Sequence, residues 1–259
     1  MTDSSPEPRP EPPRLRGAGT GHGRLRFTLV VMQANDVWLV VPLYNEAKVI
    51  GDVVRTARAS FPKVVCVDDG STDDSAARAE EAGAVVVRHP VNLGQGAALQ
   101  TGFDYALTDP AMRYCVTFDA DGQHQVSDVE AMVDLVREGQ VRVVFGSRFL
   151  DDRTEASGLK RLVLRMAVAY TNLTTGTRLT DAHNGLRVLE RGVVERLDIT
   201  QNRMAHASEI VAQIGAMRFD GQQITYAEAP VHILYTDYSK AKGQSLWNAV
   251  NILAELIWR

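Results

Sequence analysis

The fold is decided by the stretch from Val37 to Asp69, which reads VWLVVPLYNEAKVIGDVVRTARASFPKVVCVDD. It begins with an apolar run over Val37–Val41, and a second strand-like run, Lys63–Val67, lies near its end. Between them, the apolar residues of Glu46–Ser60 recur at the spacing of one helical face. Continuous apolar runs are typical of strands that are buried on both faces, and an intervening helix indicates that the two strands are parallel.

The same alternation continues beyond this stretch. Further strands are predicted at Ala84–Val87, Tyr114–Phe118 and Val141–Phe145. Further helices are predicted at Asp73–Ala82, Gly96–Leu107 and Asp128–Glu138, the last beginning at a capping box of Ser127 and Glu130. The pattern predicts an α/β fold with a mainly parallel sheet that is flanked by helices. In such sheets, ligands bind at the carboxyl ends of the strands.

Composition limits the classes of function. The chain has 259 residues, of which 45% are hydrophobic, as expected for one α/β domain of ordinary size with extensions. A formal net charge of −4 argues against a general nucleic-acid-binding surface, so no nucleic-acid partner is predicted. Cys66 and Cys115 lie in predicted strands and indicate buried free thiols in a reducing cytosol. Because no uninterrupted apolar run reaches about 18 residues, no membrane-spanning helix is predicted.

Three segments are predicted along the chain. Residues 1–36 form a disordered or dispensable extension that begins with a stretch rich in Pro, Arg and Gly; residues 37–240 form the main domain. Residues 241–259 form a C-terminal amphipathic helix, and Lys160–Tyr170 also mixes basic and apolar residues at helical spacing. Both patterns are open to two interpretations, which are a helix that lies in the membrane interface and helix packing in a homo-oligomer or against a membrane-protein partner.

The fourth predicted strand ends in an unusual pair of carboxylates. The sequence of residues 116–124 is VTFDADGQH, with Asp119 and Asp121 one residue apart. In an extended chain such side chains point the same way, so the two carboxylates converge. Burying both without a partner is costly, and a divalent cation such as Mg²⁺ or Mn²⁺ removes the repulsion. Taken alone, the short pattern is more often a solvated polar strand exit.

Polar loops follow the first two predicted strands. Residues 42–46 read PLYNE, in which Asn45 is a candidate helix N-cap. Capping explains Tyr44 and Glu46 less easily, so they are candidates to contact a base and a ribose. The Asp68–Asp69 pair opens a turn after the second strand. Together the two loops indicate a pocket for a nucleobase and its ribose.

The third and fifth predicted strands also end in functional candidates. Gly94 and Gly96 precede a helix, where they permit close backbone approach and where the helix N-terminus favours anions. This glycine pair alone is weak, because the Walker lysine and the dinucleotide spacing are absent from the sequence. Arg148 follows the fifth strand at the same rim, where an anionic substrate would use it.

In this order, the motifs resemble family 2 glycosyltransferases of the GT-A fold, particularly the dolichyl- or polyprenyl-phosphate sugar transferases. The resemblance covers roughly residues 37–240. It rests on VVPLYNEA (40–47), VVCVDDGSTDDS (64–75), HPVNLGQGAALQTG (89–102), DADGQH (119–124), VVFGSRF (143–149) and DAHNGLR (181–187). As a set these motifs are highly specific, although each alone is not.

The resemblance implies roles for individual residues. The nucleotide of a UDP- or GDP-sugar donor would be bound by Pro42, Tyr44, Glu46, Asp68 or Asp69, Gly94, Asp119 and Lys242. Mg²⁺ or Mn²⁺ would be held against the diphosphate by Asp119, Asp121 and Gln123. The implied catalytic residues are Asp121, Arg148 and Arg187, in which the arginines meet phosphates of the donor or the acceptor. Lys242 belongs to a basic loop that would close over the donor.

The resemblance also implies an inverting reaction, since a single displacement needs no protein nucleophile. A polyprenyl phosphate is the preferred acceptor, because a phosphomonoester with a second pKa of about 6 is largely ionised at neutral pH. The first alternative is a hydroxyl acceptor on a polysaccharide or metabolite, which needs a base such as His206 or Glu209. A non-catalytic sugar-nucleotide-binding scaffold and a nucleotidyltransferase are weaker alternatives. The expected location is the cytoplasm, with peripheral contact to the cytoplasmic face of a membrane.

Overall fold

A computed structural model describes residues 35–150, 168, 171–202 and 205–234. The predicted C-terminal helix 241–259, Lys242 and nearly all of the predicted N-terminal extension lie outside the described residues, as does most of Lys160–Tyr170. Within the described ranges, no helix has both the length and the apolarity that a bilayer crossing requires.

The described elements alternate as expected up to the fifth strand. The strands are β1 (Val37–Leu43), β2 (Lys63–Asp68), β3 (Val85–Arg88), β4 (Tyr114–Thr117), β5 (Val143–Ser147), β6 (Arg187–Glu190), β7 (Arg218–Phe219), β8 (Gln222–Gln223) and β9 (Tyr226–Pro230). The helices are α1 (Ile50–Ser60), α2 (Ser75–Glu81), α3 (Gln95–Leu107), α4 (Val126–Arg137), α5 (Arg191–Val194) and α6 (His206–Ala216). Residues 171–175 are also helical.

The main sheet has the strand order β3-β2-β1-β4-β6-β5-β9. The strands β1 to β4 are parallel, and β9 is parallel to β5, which confirms the mainly parallel α/β fold. In contrast, β6 is antiparallel to both of its neighbours, β4 and β5. Its first residue, Arg187, pairs with Thr117 at the end of β4. The antiparallel strand therefore brings Arg187 to the edge where the carboxylate pair follows β4.

Helices cover both faces of the sheet, each over its own apolar cluster. Leu39 and Val41 of β1 belong to the cluster under α1, α2 and α4. Trp38 and Val40 belong to the cluster under α3, α5 and α6. Successive side chains of a strand point to opposite faces, so a continuous apolar run supplies both clusters. Each fully buried side chain of this kind contributes roughly 1.5–3 kcal/mol to stability.

The two cysteines are free and buried, as predicted. Cys66 lies in the first cluster and Cys115 in the second, so the sheet separates them. Burial raises the pKa of the Cys66 thiol to about 12, with the nearby Asp68 adding to the effect. Burial also raises the pKa of the Cys115 thiol. Both thiols therefore stay protonated and behave as small apolar core groups.

Two predicted helix starts are wrong. α1 begins at Ile50, and Asn45 does not cap it; Asn45 has a φ of 55°. Its side-chain oxygen instead accepts a hydrogen bond from the backbone N–H of Thr72 at 2.9 Å. α4 begins at Val126 without a side-chain cap, so Ser127 lies inside the first turn. In the first case a contact between loops outcompetes local capping, because Asn tolerates the left-handed conformation.

Candidate active site

A cavity of about 510 Å³ lies at the carboxyl ends of the parallel strands and is called the first cavity. Of the residues predicted to bind a nucleotide, those that line it are Pro42, Tyr44, Glu46, Asp69, Gly94 and Asp119. Tyr44 is 45% exposed, so its ring is open to a flat partner, whereas Glu46 is buried. The sheet therefore gathers loops that are far apart in sequence around one opening, as the topology predicts.

A smaller second cavity, of about 230 Å³, adjoins the first. Both cavities are lined by Gln95, Asp119 and Asp121. The second cavity is also lined by Gln123, Arg148 and Arg187, which are the remaining predicted metal and phosphate ligands in the described residues. The carboxylate pair therefore lies at the boundary between the two cavities, where a group bound in one meets a group bound in the other.

Asp119 is held as an anion. Its Oδ2 lies 2.9 Å from Nε2 of the buried His124, and the side-chain amide of Gln95 donates to Oδ1 at 3.5 Å. Burial by itself raises the pKa of the Asp119 carboxyl, but His124, followed by Arg187 and His206, outweighs it and holds the pKa below its usual value. Because three basic groups favour its charge, Asp119 is ionised before any cation arrives.

Asp121 has the opposite electrostatic environment. Burial raises the pKa of its carboxyl, and the adjacent charge of Asp119 raises it further. The backbone N–H of Gln123 donates to Oδ1 at 3.1 Å and opposes this effect only in part. Two adjacent carboxylates repel each other when both are ionised, and a bound divalent cation relieves this repulsion.

The side chains present fit a hard divalent cation. Asp119, Asp121 and the Gln123 amide offer oxygen ligands, which Mg²⁺ and Mn²⁺ prefer. In the described part of the chain, no group of three or more His, Cys, Asp or Glu side chains is arranged to hold a metal ion. A cation at this position would therefore take its remaining ligands from water or from phosphate oxygens, as Mg²⁺ does at nucleotide sites.

Of the two successive aspartates at the end of β2, Asp69 lines the first cavity and Asp68 does not. The Asp68 carboxylate accepts a hydrogen bond from the backbone N–H of Ser71 at 3.1 Å. The Asp69 carboxylate accepts from the backbone N–H groups of Leu93 and Gly94 at 2.8 and 2.7 Å, and His89 lies 2.7 Å away. Asp69 therefore shapes the loop on the opposite wall of the cavity.

Gly94, just before α3, and Gly96, in its first turn, permit a close approach to the backbone. The group that approaches is another segment of the protein and not a ligand. Gly94 has a φ of 101°, and a side chain there would meet the carbonyl oxygen of Asn202 at 2.1 Å. A side chain on Gly96 would meet the carbonyl oxygen of Gln201 at 2.0 Å, and the N–H of Gly96 donates to Asn202 at 3.1 Å. The glycines thus dock α3 against residues 201–202, with no N–H of this pair left for an anion.

Arg148 lines the second cavity while it forms a two-pronged ion pair. Its Nε and Nη2 donate to Asp181 at 2.7 and 2.9 Å, and its backbone N–H donates to the same carboxylate at 3.1 Å. The Asp181 side chain is 1% exposed. Burial raises the pKa of the Asp181 carboxyl, but Arg148 more than compensates and lowers it overall. The pair fixes the Arg148 guanidinium at the cavity wall.

Arg187 has the largest fully buried side chain of the residues that the structure describes, at 1% exposure. In the part of the chain that the structure describes, its Nε and Nη2 have no hydrogen-bond partner. Burial lowers the pKa of the guanidinium to about 10, while Asp119 and Asp181 favour its charge. A cationic side chain with N–H donors that lack partners among the described residues is suited to binding an anion.

The comparison with known families decides the class of this chain. The family model described as "Glycosyl transferase family 2" matches residues 38–198. The chain belongs to this family. This confirms the predicted glycosyltransferase and does not agree with the nucleotidyltransferase alternative.

Individual relatives of this glycosyltransferase cover most of its length. The uncharacterized protein MJ1222 of Methanocaldococcus jannaschii is 33% identical over 230 residues, which are 86% of this chain and 91% of the relative. A UDP-N-acetylglucosamine–dolichyl-phosphate N-acetylglucosaminyltransferase of Methanococcus voltae is 26% identical over 241 residues, or 85% and 94% of the two chains. Glucosyl-3-phosphoglycerate synthase of Mycobacterium tuberculosis, solved with Mn²⁺, UDP-glucose and phosphoglyceric acid, has a TM-score of 0.64 at 20% identity. It covers 94% of this chain and 85% of its own, and the likeness shows the fold.

The two candidate bases of this glycosyltransferase have different positions. Glu209 accepts hydrogen bonds from the backbone N–H groups of Thr200 and Gln201 and from the Thr200 hydroxyl. It therefore braces the segment that docks on α3. His206 lines the second cavity and is buried. Of the two, only His206 lines either cavity.

Sequence reasoning missed two histidines of the site. His124 belongs to the same motif as the carboxylates and contacts Asp119, and His183 lines the second cavity. Both stand inside motifs that carry the family resemblance, which was the available signal. Their roles depend on distances across the fold, so the pattern of residue types alone did not assign them.

Proposed function

We propose that this chain is an inverting, metal-dependent enzyme that transfers a sugar from a nucleotide diphosphate sugar to the phosphate of a polyprenyl phosphate. The observation that carries the proposal is the position of Asp119 and Asp121 between two cavities of different character. The first is open and is lined by an exposed Tyr44, whereas the second is lined by Arg148 and Arg187.

The donor would occupy the first cavity. Its base and ribose would lie near Tyr44 and Glu46, as in the resemblance, with the diphosphate at Asp119 and Asp121. A bound Mg²⁺ or Mn²⁺ supplies positive charge to the diphosphate leaving group. Asp119 and Asp121, with Gln123, would hold that ion, and the boundary position of the pair would present the sugar to the second cavity.

The acceptor would occupy the second cavity. Arg187 has N–H donors without partners in the described residues, and Arg148 lies on the same wall. Such donors favour a phosphate over a neutral hydroxyl. A phosphomonoester is largely ionised at neutral pH, with a second pKa of about 6, so it attacks the sugar without a strong base. The attack would proceed by single displacement and invert the anomeric centre.

The printed function of the M. voltae relative, which names dolichyl phosphate, supports a lipid phosphate acceptor. A lipid acceptor would require contact with a membrane surface, on the cytoplasmic side where nucleotide sugars are made available. The amphipathic residues 241–259 are the candidate contact, either with the membrane, with a membrane protein or within a homo-oligomer.

A hydroxyl acceptor is the second candidate, because His206 is buried in the second cavity and faces the same space. A neutral imidazole there could take the proton from a hydroxyl group. The M. tuberculosis neighbour, solved with phosphoglyceric acid, makes a small phosphorylated acceptor worth including in the test.

The test is a transfer assay with UDP- and GDP-sugars in the presence of Mn²⁺ or Mg²⁺, or of a chelator. Three acceptors are compared: a short-chain prenyl phosphate, the corresponding prenol and 3-phosphoglycerate. We expect metal-dependent transfer to prenyl phosphate with inversion, read from the anomeric coupling in the NMR spectrum of the product. Transfer only to the prenol or to 3-phosphoglycerate would exclude the lipid phosphate as acceptor, and full activity with chelator would exclude the metal.

A further inference from the structure

The second cavity contains a histidine whose hydrogen-bonding capacity is entirely unused. Among the described residues, neither Nδ1 nor Nε2 of His183 has a hydrogen-bond partner, although both nitrogens are buried. The neighbouring Arg187 has two further unpartnered nitrogens, Nε and Nη2. Buried polar atoms in folded proteins nearly always have partners, because leaving one without a partner is costly. Four such atoms, on two residues that line one cavity of about 230 Å³, indicate a polar partner from outside the described residues.

The carboxylate of Asp181, which lies near His183, already accepts hydrogen bonds from another side chain. Asp181 lies close enough to His183 to affect its charge, but both of its oxygens accept hydrogen bonds from Arg148. The ring nitrogens form no hydrogen bond with this carboxylate or with any other described residue. A ligand bound in the cavity would supply those hydrogen bonds.

The loop that carries His183 is held firmly from both sides. The Glu228 carboxylate accepts from the backbone N–H of Thr180 at 2.8 Å and from that of Asp181 at 3.2 Å. Further along, the side-chain oxygen of Asn184 accepts from the N–H of Leu186 at 2.8 Å. The loop is therefore braced on each side of His183, which makes the ring a pre-positioned group.

We infer that His183 is an acceptor-binding residue that forms hydrogen bonds with the phosphomonoester head of the acceptor, beside Arg187. The inference rests on the proposed function and adds to it a residue to which the family resemblance assigned no role. Its chemical class of ligand is a phosphomonoester, whether that group is carried by a lipid or by a small metabolite.

The chemistry of the ring matches this ligand. Burial lowers the pKa of the His183 ring, and Arg187 and Arg148 lower it further, against the opposing effect of Asp181. The ring is therefore neutral at pH 7, with one nitrogen as donor and one as acceptor. A phosphomonoester presents several acceptor oxygens, and a hydroxyl when it is singly protonated. It can therefore satisfy His183 and the free N–H groups of Arg187 together.

The test compares His183→Leu and His183→Asn with the wild type. Leucine removes both polar atoms at similar volume, whereas asparagine restores one donor and one acceptor. We expect the acceptor KM with prenyl phosphate to rise at least about tenfold in H183L, which is about 1.4 kcal/mol, and to rise less in H183N. The affinity for UDP with Mn²⁺, measured by isothermal titration, should stay at the wild-type value in both, because His183 does not line the first cavity.

His232→Leu is the matched control. The His232 ring lies 3.6 Å from Asp128 and lines neither cavity. This substitution should change neither the acceptor KM nor the affinity for UDP. An unchanged acceptor KM in H183L would overturn the inference, and so would an equal loss of UDP affinity, which would mark a general disturbance of the site. If H183L raises the KM for 3-phosphoglycerate and not that for prenyl phosphate, the phosphomonoester is carried by a metabolite.

Direct binding separates this inference from the proposed function. Short-chain prenyl phosphate and 3-phosphoglycerate are each titrated into wild type and H183L in the presence of UDP and Mn²⁺. If the wild type binds a phosphomonoester at least about tenfold more tightly than H183L but transfers no sugar, the proposed function fails and the inference stands. If the wild type binds neither, or both proteins bind equally, the inference fails even where transfer is observed.

Discussion

The two cavities that meet at Asp119 and Asp121 differ in how their polar groups are satisfied. In the wall of the first cavity, polar groups mostly bind one another. Asp69 accepts from the backbone of Leu93 and Gly94, and the backbone N–H of Glu46 donates to the Ser75 hydroxyl at 2.7 Å. These contacts join successive loops of the parallel sheet into one wall, whose polar groups find their hydrogen-bond partners within the protein.

In the second cavity, by contrast, some buried polar groups lack hydrogen-bond partners among the described residues. Its described wall includes Arg187 and His183, which together leave four buried nitrogens without partners. The difference teaches where folding and function compete. The first cavity is shaped by interactions that also stabilise the protein, whereas the second retains groups whose burial costs stability and whose partners, as we propose, come from the substrate.

The largest expected effect lies at the boundary of the two cavities. We expect Asp121→Asn to lower kcat about 10²–10³-fold, because the metal loses a charged ligand at the leaving diphosphate. Since burial and Asp119 raise the pKa of Asp121, its ionised form opposes folding at pH 7. The metal-free variant should therefore melt no lower than the wild type. Asp134→Asn, at an exposed position on α4, is the control, and wild-type turnover in D121N would refute the metal assignment.

Arg187→Met tests whether the second cavity sacrifices stability for binding. We expect kcat/KM for the acceptor to fall about 10–100-fold, because a charge-assisted contact of about 1.5–3 kcal/mol is lost. Replacing a buried, incompletely paired cation by an apolar side chain of similar length is often neutral or stabilising, so urea unfolding should show no loss of stability.

Arg187→Lys is the matched variant for Arg187→Met. Lysine keeps the positive charge but not the planar N–H donors, so it separates the contribution of the charge from that of the donors. If R187M unfolds at a clearly lower urea concentration than the wild type, the arginine is a structural group and the contrast between the cavities fails.

Asp69→Asn should show the opposite behaviour in the first cavity. Its two carboxylate oxygens accept one backbone hydrogen bond each from the facing loop, and an amide has only one oxygen, so one of these N–H groups loses its acceptor. We expect a loss of about 1–3 kcal/mol in the free energy of unfolding, together with weaker UDP binding. Asp74→Asn, at an exposed position in the same loop, should change neither quantity. Weaker UDP binding without any loss of stability would show that Asp69 contacts the nucleotide itself.

The smallest expected effect gives a baseline outside both cavities. Lys63, then the Trp38 indole and the Ala111 N–H, hold the pKa of the Asp109 carboxyl at about 2, against its usual 3.8. The lowered pKa contributes stability that is present above pH 3.8 and is lost as the pH falls through about 2. The stability difference between wild type and Asp109→Asn in urea should therefore shrink between pH 5 and pH 2. A difference that is constant with pH would contradict it.

The strands and helices that follow one another closely were well predicted from the sequence. Each of the first five strands lies within two residues of its predicted bounds. Four of them are largely buried, and a strand buried on both faces must be apolar throughout; β3 is partly exposed at the sheet edge. In contrast, β6 was missed. It has four residues and begins with an arginine, so it carries no apolar run, and its antiparallel position depends on neighbours that are distant in the chain.

The site was predicted in part for the same reason. Carboxylates and glycines at strand ends are visible in the sequence, since a parallel sheet must bring those ends together. Which of Asp68 and Asp69 lines the cavity, and that Glu209 braces residues 200–201, were not visible. These roles are set by which hydrogen-bond partner lies closest in space, and that partner comes from another segment.

The amino-acid sequence by itself determined the alternating α/β architecture, the edge of the sheet that binds ligands and the family of the enzyme. These follow from local periodicity and from motifs that keep their order in the chain. Only the tertiary structure decided that Asp119 is anionic while Asp121 resists its charge, and that nitrogens of Arg187 and His183 lie buried without partners among the described residues. Burial and the distance to other charges set these properties, and both arise only when remote segments pack together.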